Sequence, residues 1–138
     1  MLSSYFVKAQ DTTNYQRINV VTSLYPKGPV THIDSIFYNF IDPGTFFVDL
    51  CEGFHDSVSI YINNKCIKDE FLETNYSIGQ AGGFVVSFSH EYKIVLTILF
   101  KNAKRFIREE LKPGYKHLEI RGLRDWLFIY SNHFYLAE

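Results

Sequence analysis

Residues 57–67 read SVSIYINNKCI and contain the clearest strand and turn in the chain. Val58, Ile60 and Ile62 alternate with polar or amphipathic residues. This period of two predicts a strand with one buried face and one wet face. The pair Asn63-Asn64 that follows suits a tight hairpin turn, because Asn tolerates a positive φ. We therefore predict a β-hairpin here, with its return strand directly after the turn.

Short strands separated by turn residues continue on both sides of this hairpin. The chain is also rich in aromatic residues, at 17%, with 13 Phe and 10 Tyr, and such residues favour strands over helices. Eight to ten strands joined by Gly, Pro, Asn and Asp turns are typical of sandwiches and small barrels. We predict an all-β fold, an antiparallel β-sandwich or jelly-roll-like domain, with a small β-barrel as the alternative. The other candidate strands lie at 18–25, 30–41, 45–50, 84–88, 92–100, 116–121, 126–130 and 133–136.

Two aromatic-rich strands are expected to form the centre of the core. The segment 92–100 is almost wholly apolar, as a strand covered on both faces is, and 84–88 alternates Phe and Val. We expect the two to pair through 89–91. The glycine-rich segment 79–83 before them lacks the pattern of a phosphate-binding loop and is interpreted as a plain turn.

The segment 102–111 is compatible with two structures. Asn102 suits a helix N-cap, and Phe106, Ile107 and Leu111 are spaced for one helical face. A strand over 104–111 fits nearly as well. One short helix near 102–111 therefore stays open.

The length of 138 residues predicts one hydrophobic core. Residues 1–17 are polar and aperiodic, so we expect a loosely held N-terminal arm followed by a single domain at 18–138. No standard signal peptide and no apolar run of membrane-spanning length is present. The expected protein is soluble, without a membrane span, and cytoplasmic or associated with an assembly.

The two cysteines, Cys51 and Cys66, are too few for a disulfide framework and lie in no metal-binding spacing. Free buried thiols are the simpler expectation, although one bridge between neighbouring strands stays open. No cofactor is expected.

The five histidines and the acidic residues form no compact catalytic or metal-binding motif in the sequence. His32 and Asp34 share one face of an extended strand, but two ligands do not make a metal site. His55 and Asp56 are adjacent, so on a strand they point in opposite directions. No GxSxG motif is present. We expect a protein that is not an enzyme.

Charge is unevenly distributed, although the net charge is only −1. The segment 34–73 has eight acids against two lysines, a local −6, whereas 101–124 has eight bases against three acids, a local +5. Charge runs of this kind mostly form solvated faces, but opposite poles also allow copies to meet head to tail. Basic and aromatic residues alternate over 104–108 and 121–126, a pattern of nucleic-acid binding. The acidic segment and a pI near 6.5 argue against that partner.

These observations favour a non-catalytic module for protein interaction or structure, an accessory subunit of a homo-oligomer or a larger assembly. Excess aromatic residues suit interfaces, because large rigid side chains bury much area at little entropic cost. The alternative is a small barrel or sandwich that binds an apolar small ligand. The expected contact residues are Trp126, Phe134, Tyr135, Arg105, Arg108 and Arg124.

Overall fold

The structure, a computed structural model, describes residues 12–25, 32, 45–87 and 93–132. Its ten elements are all strands, so the predicted all-β class is confirmed. They are β1 (Gln16–Arg17), β2 (Val20–Leu24), β3 (Thr45–Leu50), β4 (His55–Ile62), β5 (Lys65–Glu73), β6 (Gly82–Ser87), β7 (Val95–Phe100), β8 (Arg105–Glu110), β9 (His117–Gly122) and β10 (Trp126–Ser131). The predicted strand at 133–136 lies outside the described residues, as does the predicted strand at 30–41 except for His32, whose conformation is helical rather than extended.

The strands form two open five-stranded sheets. The first sheet has the order β1-β8-β7-β4-β5 and the second β2-β10-β9-β3-β6. Two open sheets fit the predicted sandwich, and neither is closed as the alternative of a small barrel requires. Pairing is mainly antiparallel as predicted, but β1 with β8, β2 with β10 and β3 with β9 are parallel. Each parallel pair joins strands far apart in sequence, which local patterns do not reveal.

Each sheet belongs to one of two compact units. Among the described residues the first unit comprises 12–19, 55–73 and 93–111, and the second comprises 20–25, 32, 45–54, 74–87 and 112–132. The predicted division into an arm at 1–17 and one domain at 18–138 stays a prediction. The described end of that arm is attached to the first sheet, because Gln16 and Arg17 pair with β8.

The hairpin predicted from 57–67 is present as β4 and β5. Asn63 has a φ of 54°, and its side-chain oxygen accepts a hydrogen bond from the Val95 N–H at 2.9 Å. Val58 and Ile60 are fully buried, as predicted. An irregularity between Ile60 and Tyr61 marks a β-bulge in the pairing with β5.

The second face of β4 was predicted to be wet, and this was wrong. Ser59 and Tyr61 are both buried. Tyr61 packs in a small cluster with Leu99 and Phe106, against which Tyr15 also packs. The N-terminal segment thus covers a face that the alternation of β4 assigns to solvent.

The predicted pairing of 84–88 with 92–100 was also wrong. β6 pairs with β3 in the second sheet, whereas β7 lies between β4 and β8 in the first. Five of the six residues of β7 are buried, so its predicted central place is confirmed. β6 is instead an outer strand among the described residues, and its Val85 is exposed.

The segment 102–111 contains the strand β8, and the helix alternative was wrong. The buried Asp56 carboxylate accepts hydrogen bonds from the N–H groups of Asn102 and Ala103, at 2.9 and 3.0 Å. These bonds hold a turn after β7, and the chain returns as β8 with both Phe106 and Ile107 buried. Consecutive apolar residues buried on opposite faces fit a strand within a sheet.

Lys104 completes this turn with a φ of 57°, a conformation that costs a non-glycine residue about 1–2 kcal/mol. We expect Lys104→Gly to be more stable than Lys104→Ala. The free energy of unfolding, measured by urea denaturation, should be about 1 kcal/mol higher for the glycine variant. Both variants lose the contact of the Lys104 ammonium, 5.3 Å above the Tyr15 ring, so their difference isolates the backbone. Equal stabilities would contradict the assignment of strain to this position.

The remaining sequence predictions concern turns and the membrane. The glycine-rich segment 79–83, predicted to be a plain turn, is a turn only in its first part, where Gly79 has a φ of 71° beside the isolated bridge of Asn75 with Gln80, whereas Gly82 and Gly83 begin β6. No helix in the described part of the chain has the length and apolar character that crossing a membrane requires.

Candidate functional site

One face of the second sheet carries a cluster of ionisable side chains, here called the β3/β9 cluster: Asp49, Glu52, His117, Glu119 and Arg121. Parallel pairing places Asp49 beside Glu119 and Phe47 beside His117. The sequence predicts a wet face here, yet His117 is only 2% and Glu119 only 5% exposed. Alternation of polar residues in β9 carries no signal of this burial, so the cluster was missed.

Arg121 is the centre of the cluster. Its guanidinium contacts Glu52 Oε1 at 2.5 Å and Glu119 Oε1 at 2.7 Å. Burial alone would lower the pKa of Arg121, but the hydrogen bonds to the two carboxylates outweigh burial and raise it. A guanidinium already held by two carboxylates is poorly placed to bind an external anion. Its role in the second unit is structural.

His117 and Asp49 form a second pair in the cluster, with Nε2 and Oδ2 2.5 Å apart. A histidine oriented by a carboxylate is one half of a nucleophilic site, and the nearby thiol belongs to Cys51. His117 lies beside Phe47, however, and four residues of strand span roughly 13 Å, which separates the backbone positions of Phe47 and Cys51. Burial also raises the pKa of the Cys51 thiol to about 12. The cluster therefore does not activate this cysteine.

The two cysteines are free and differ in accessibility. Cys51 is buried, but Cys66 is exposed, which corrects the expectation that both thiols are buried. We expect a thiol reagent at neutral pH to label one cysteine per chain. Cys51 should react about a thousandfold more slowly, since its pKa is raised from 9.0 to about 12 and its sulfur is buried. Mass spectrometry of the wild type and Cys66→Ser, native and in denaturant, would check this, and rapid native labelling of Cys66→Ser would contradict it.

The predicted contact residues are divided between the two units. Trp126 is half-buried and packs edge-on against Phe54, with ring centroids 5.3 Å apart, while the neighbouring Arg124 is exposed. In the first unit Arg105 is exposed. Arg108 donates a hydrogen bond to Thr97 Oγ1 at 3.2 Å. Phe134 and Tyr135 lie outside the described residues. Of the four described residues two belong to each unit, and the role of the six as an interface stays a prediction.

The other sequence candidates have ordinary structural surroundings. His55 is exposed and lies 3.4 Å from Glu73, whereas Asp56 points away and holds the turn after β7. His32 is exposed, and its proposed companion Asp34 lies outside the described residues. Within residues 12–25, 32, 45–87 and 93–132, no group of three or more His, Cys, Asp or Glu side chains is arranged to hold a metal ion.

The basic and aromatic residues of 104–108 do not form an open stacking surface. Phe106 is buried, and the Arg108 guanidinium lies 5.1 Å above its ring. The Lys104 ammonium covers the Tyr15 ring in the same way. Base stacking needs an accessible aromatic face, so these contacts disfavour nucleic acid as a partner at this surface.

Acidic and basic segments neutralise each other partly within each unit. In the first unit Asp69 lies 2.7 Å from Lys101, and in the second Glu52 pairs with Arg121. These two contacts support the interpretation that part of the segregated charge is paired internally.

Large exposed apolar side chains are concentrated on the outer strands. Val21 and Leu24 lie on β2, Ile67 and Phe71 on β5, and Val85 on β6. Outer strands have backbone groups free to pair with another chain. We call these three strands the apolar edges. The sequence predicted apolar contact residues but not these, because strand order decides which strand is outermost.

The turn at 75–80 exposes two further large side chains, Tyr76 at 70% and Ile78 at 69%. This turn is well held. The Asn75 carbonyl accepts a hydrogen bond from the Gly79 N–H at 2.7 Å, and the Asn75 side chain accepts one from Ser77 at 3.0 Å. Exposed apolar groups on an ordered turn resemble the anchors of an interface.

No family model, curated protein or solved structure matches the chain.

Proposed function

We propose that this protein is a non-catalytic interaction module that joins a protein assembly through its apolar edges. The observation that carries the proposal is the placement of large exposed apolar side chains on three of the four outer strands that the described residues form. Unpaired edges with apolar side chains invite strand addition, in which backbone hydrogen bonds supply affinity and side chains supply specificity. An edge of this kind is costly in a protein that has no partner for it.

The β3/β9 cluster supports a structural rather than a chemical role for the buried polar residues. Arg121 is held by two carboxylates, and His117 is held by Asp49. Cys51, the thiol nearest to the cluster, is protonated at neutral pH because burial raises its pKa to about 12. These groups stabilise the second unit. The interaction surface that we propose is formed by the apolar edges.

The alternative function, binding of an apolar small ligand, needs aromatic side chains that line a cavity. In the second unit the buried rings pack against one another instead. Tyr130 lies 6.1 Å from Phe46 and 5.6 Å from Tyr115 between ring centroids. This mutual packing supports an interior filled by its own rings.

Two experiments test the proposal. The first is light scattering coupled to size exclusion over a range of protein concentration, and the second is affinity purification of bound proteins from the source cells. We expect a mass above 16.2 kDa at high concentration, or a recovered partner. The variant Val21→Ser/Leu24→Ser/Phe71→Ser/Val85→Ser should lose this association. A control, Thr22→Ala/Ser23→Ala, changes exposed polar residues of β2 and should retain it.

A monodisperse monomer at high concentration, with nothing recovered on it, would overturn the proposal. Association that survives the four apolar-edge substitutions would also overturn it. Saturable quenching of Trp126 by apolar small molecules would favour the ligand carrier instead.

A further inference from the structure

Within the described residues, β5 is an outer strand that pairs with β4 on one side only. Thr74 donates its N–H to the Phe54 carbonyl, and Lys101 donates its N–H to the Ser57 carbonyl. In antiparallel sheets alternate residues turn their backbone groups to opposite neighbours. Through the register of β4 with β5, the groups of Lys68, Glu70 and Leu72 therefore face β4. Those of Asp69, Phe71 and Glu73 face outward.

The sequence of β5 is complementary to itself when reversed. Its residues 65–73 read KCIKDEFLE. In an antiparallel pair centred on Asp69, Lys68 faces Glu70 of the other strand and Ile67 faces Phe71. Lys65 lies toward the end that carries Glu73. Opposite charges and apolar side chains placed directly across from each other stabilise antiparallel strands.

Centres at the two neighbouring residues lose this complementarity. A pair centred on Lys68 places two lysines face to face and Ile67 against Asp69. A pair centred on Glu70 places two glutamates face to face and Ile67 against Glu73. The centre at Asp69 also suits the backbone, because the outward groups of Asp69 then meet their own equivalents.

The two Asp69 carboxylates at this centre are already compensated. Each accepts hydrogen bonds from Lys101 Nζ at 2.7 Å and from Ser59 Oγ at 2.9 Å. The hydrogen bonds from Lys101 and Ser59 lower the pKa of Asp69. Each Asp69 carboxylate therefore stays ionised and keeps its hydrogen bonds to Lys101 and Ser59 of its own chain. Two Lys101 ammonium groups thus accompany the two carboxylates.

We propose that β5 pairs antiparallel with β5 of a second copy of this chain, with a two-fold axis through Asp69. The inference rests on the proposed function and names its partner. Two first sheets then continue into one sheet of ten strands. Ile67 is the extra residue of the bulge in β5 and has no partner in β4, so the regular stretch of β5 is Lys68–Glu73 and the contact of Ile67 with Phe71 lies at the end of the regular pairing. Lysines often protect an outer strand from self-pairing. In the proposed dimer, however, the lysines of one strand lie opposite glutamates of the other strand, so the two strands attract each other.

Disulfide trapping tests the register. In a Cys66→Ser background, Asp69→Cys places two thiols across a hydrogen-bonded pair, where Cα atoms lie about 5.5 Å apart, within disulfide reach. We expect mild oxidation to give a covalent dimer, at least about tenfold faster than for Glu73→Cys in the same background. Residue 73 is similarly exposed but faces Lys65 in the proposed dimer. Equal rates for the two variants would overturn the register.

Charge exchange tests the interface without new cysteines. Lys68→Glu places like charges across the dimer, and we expect about tenfold weaker association, measured by analytical ultracentrifugation. Lys68→Glu/Glu70→Lys restores the cross-strand pairs and also the contact between these two residues at 3.1 Å within the strand. Its dimer affinity should return to near the wild-type value. Raised salt should weaken the wild-type dimer, since these pairs are exposed.

The result also separates this inference from the proposed function. Wild-type association that Lys68→Glu does not weaken would overturn pairing through β5 and leave another apolar edge as the contact. A monomeric protein that recovers a different chain from the source cells would overturn self-pairing alone. A monomer without any partner would overturn both.

Discussion

Arg121→Leu is expected to lower the free energy of unfolding by about 3 kcal/mol. The substitution leaves the Glu119 side chain, only 6% exposed, without the guanidinium that lies 2.7 Å from it. Glu52, whose side chain is 20% exposed, loses the same partner. Breaking a buried pair at one side costs about 3–5 kcal/mol, because a desolvated charge remains. Partial exposure of Glu52 moves the expectation toward the lower value, which urea denaturation would measure.

A matched variant separates the lost pair from lost packing. Arg121→Leu/Glu119→Leu/Glu52→Leu removes the charges together, and such apolar replacement is often neutral or stabilising. We expect it to recover most of the loss. Arg121→Lys keeps the charge but not the planar fork that serves two carboxylates, so it should fall between Arg121→Leu and wild type. A loss below about 1 kcal/mol in Arg121→Leu would show that the cluster contributes little.

Local patterns in the sequence predict the strands but not their neighbours. The alternation at 57–63 and the Asn63 turn are decided by residues close in sequence, and both are present as β4 and its hairpin. Pairing of 84–88 with 92–100 assumed that sequence neighbours pair. The short glycine-led β6 instead joins β3. Which strands pair depends on how much apolar surface the whole chain buries. The alternation of polar and apolar residues along one strand does not indicate this.

The number of covered faces is a second property that the sequence leaves open. Ser59 on β4 and Glu119 on β9 occupy positions that alternation assigns to water, and both are buried. Their polar groups are satisfied within the same unit, by Asp69 and by Arg121. A polar residue on a strand thus indicates a wet face only when no partner for it lies on a neighbouring strand.

The surroundings of Trp126 could not be predicted from the sequence. Its role as a contact residue stays a prediction, and in the structure its ring packs on Phe54 and over Gly122. A glycine that makes room for an indole is recognisable only after the strands are paired. The complementarity within 65–73 is present in the sequence itself. It acquires meaning only once β5 is known to be an outer strand.

Gly53→Ala is expected to lower the free energy of unfolding by about 3–4 kcal/mol. Gly53 has a φ of 94°, where a side chain costs about 1–2 kcal/mol. A Cβ would also lie 2.5 Å from the carbonyl oxygen and 2.7 Å from the Cα of Gly122. These are backbone atoms, tied to Glu52 by a 2.7 Å hydrogen bond from the Gly122 N–H, so the strand itself must move. Overpacking of this kind typically costs a further 1–3 kcal/mol.

Gly79→Ala is the matched control for this close approach. Gly79 has a comparable φ of 71°, but a Cβ there would meet only the end of the Glu52 side chain, at 3.3 Å. It should therefore cost only the backbone strain, about 1–2 kcal/mol. Trp126 is the one tryptophan of the chain and lies over Gly122, so its emission should shift in Gly53→Ala and not in Gly79→Ala. Equal losses in the two variants, with unchanged emission in both, would mean that the chain tolerates a side chain at the approach of Gly53 to Gly122.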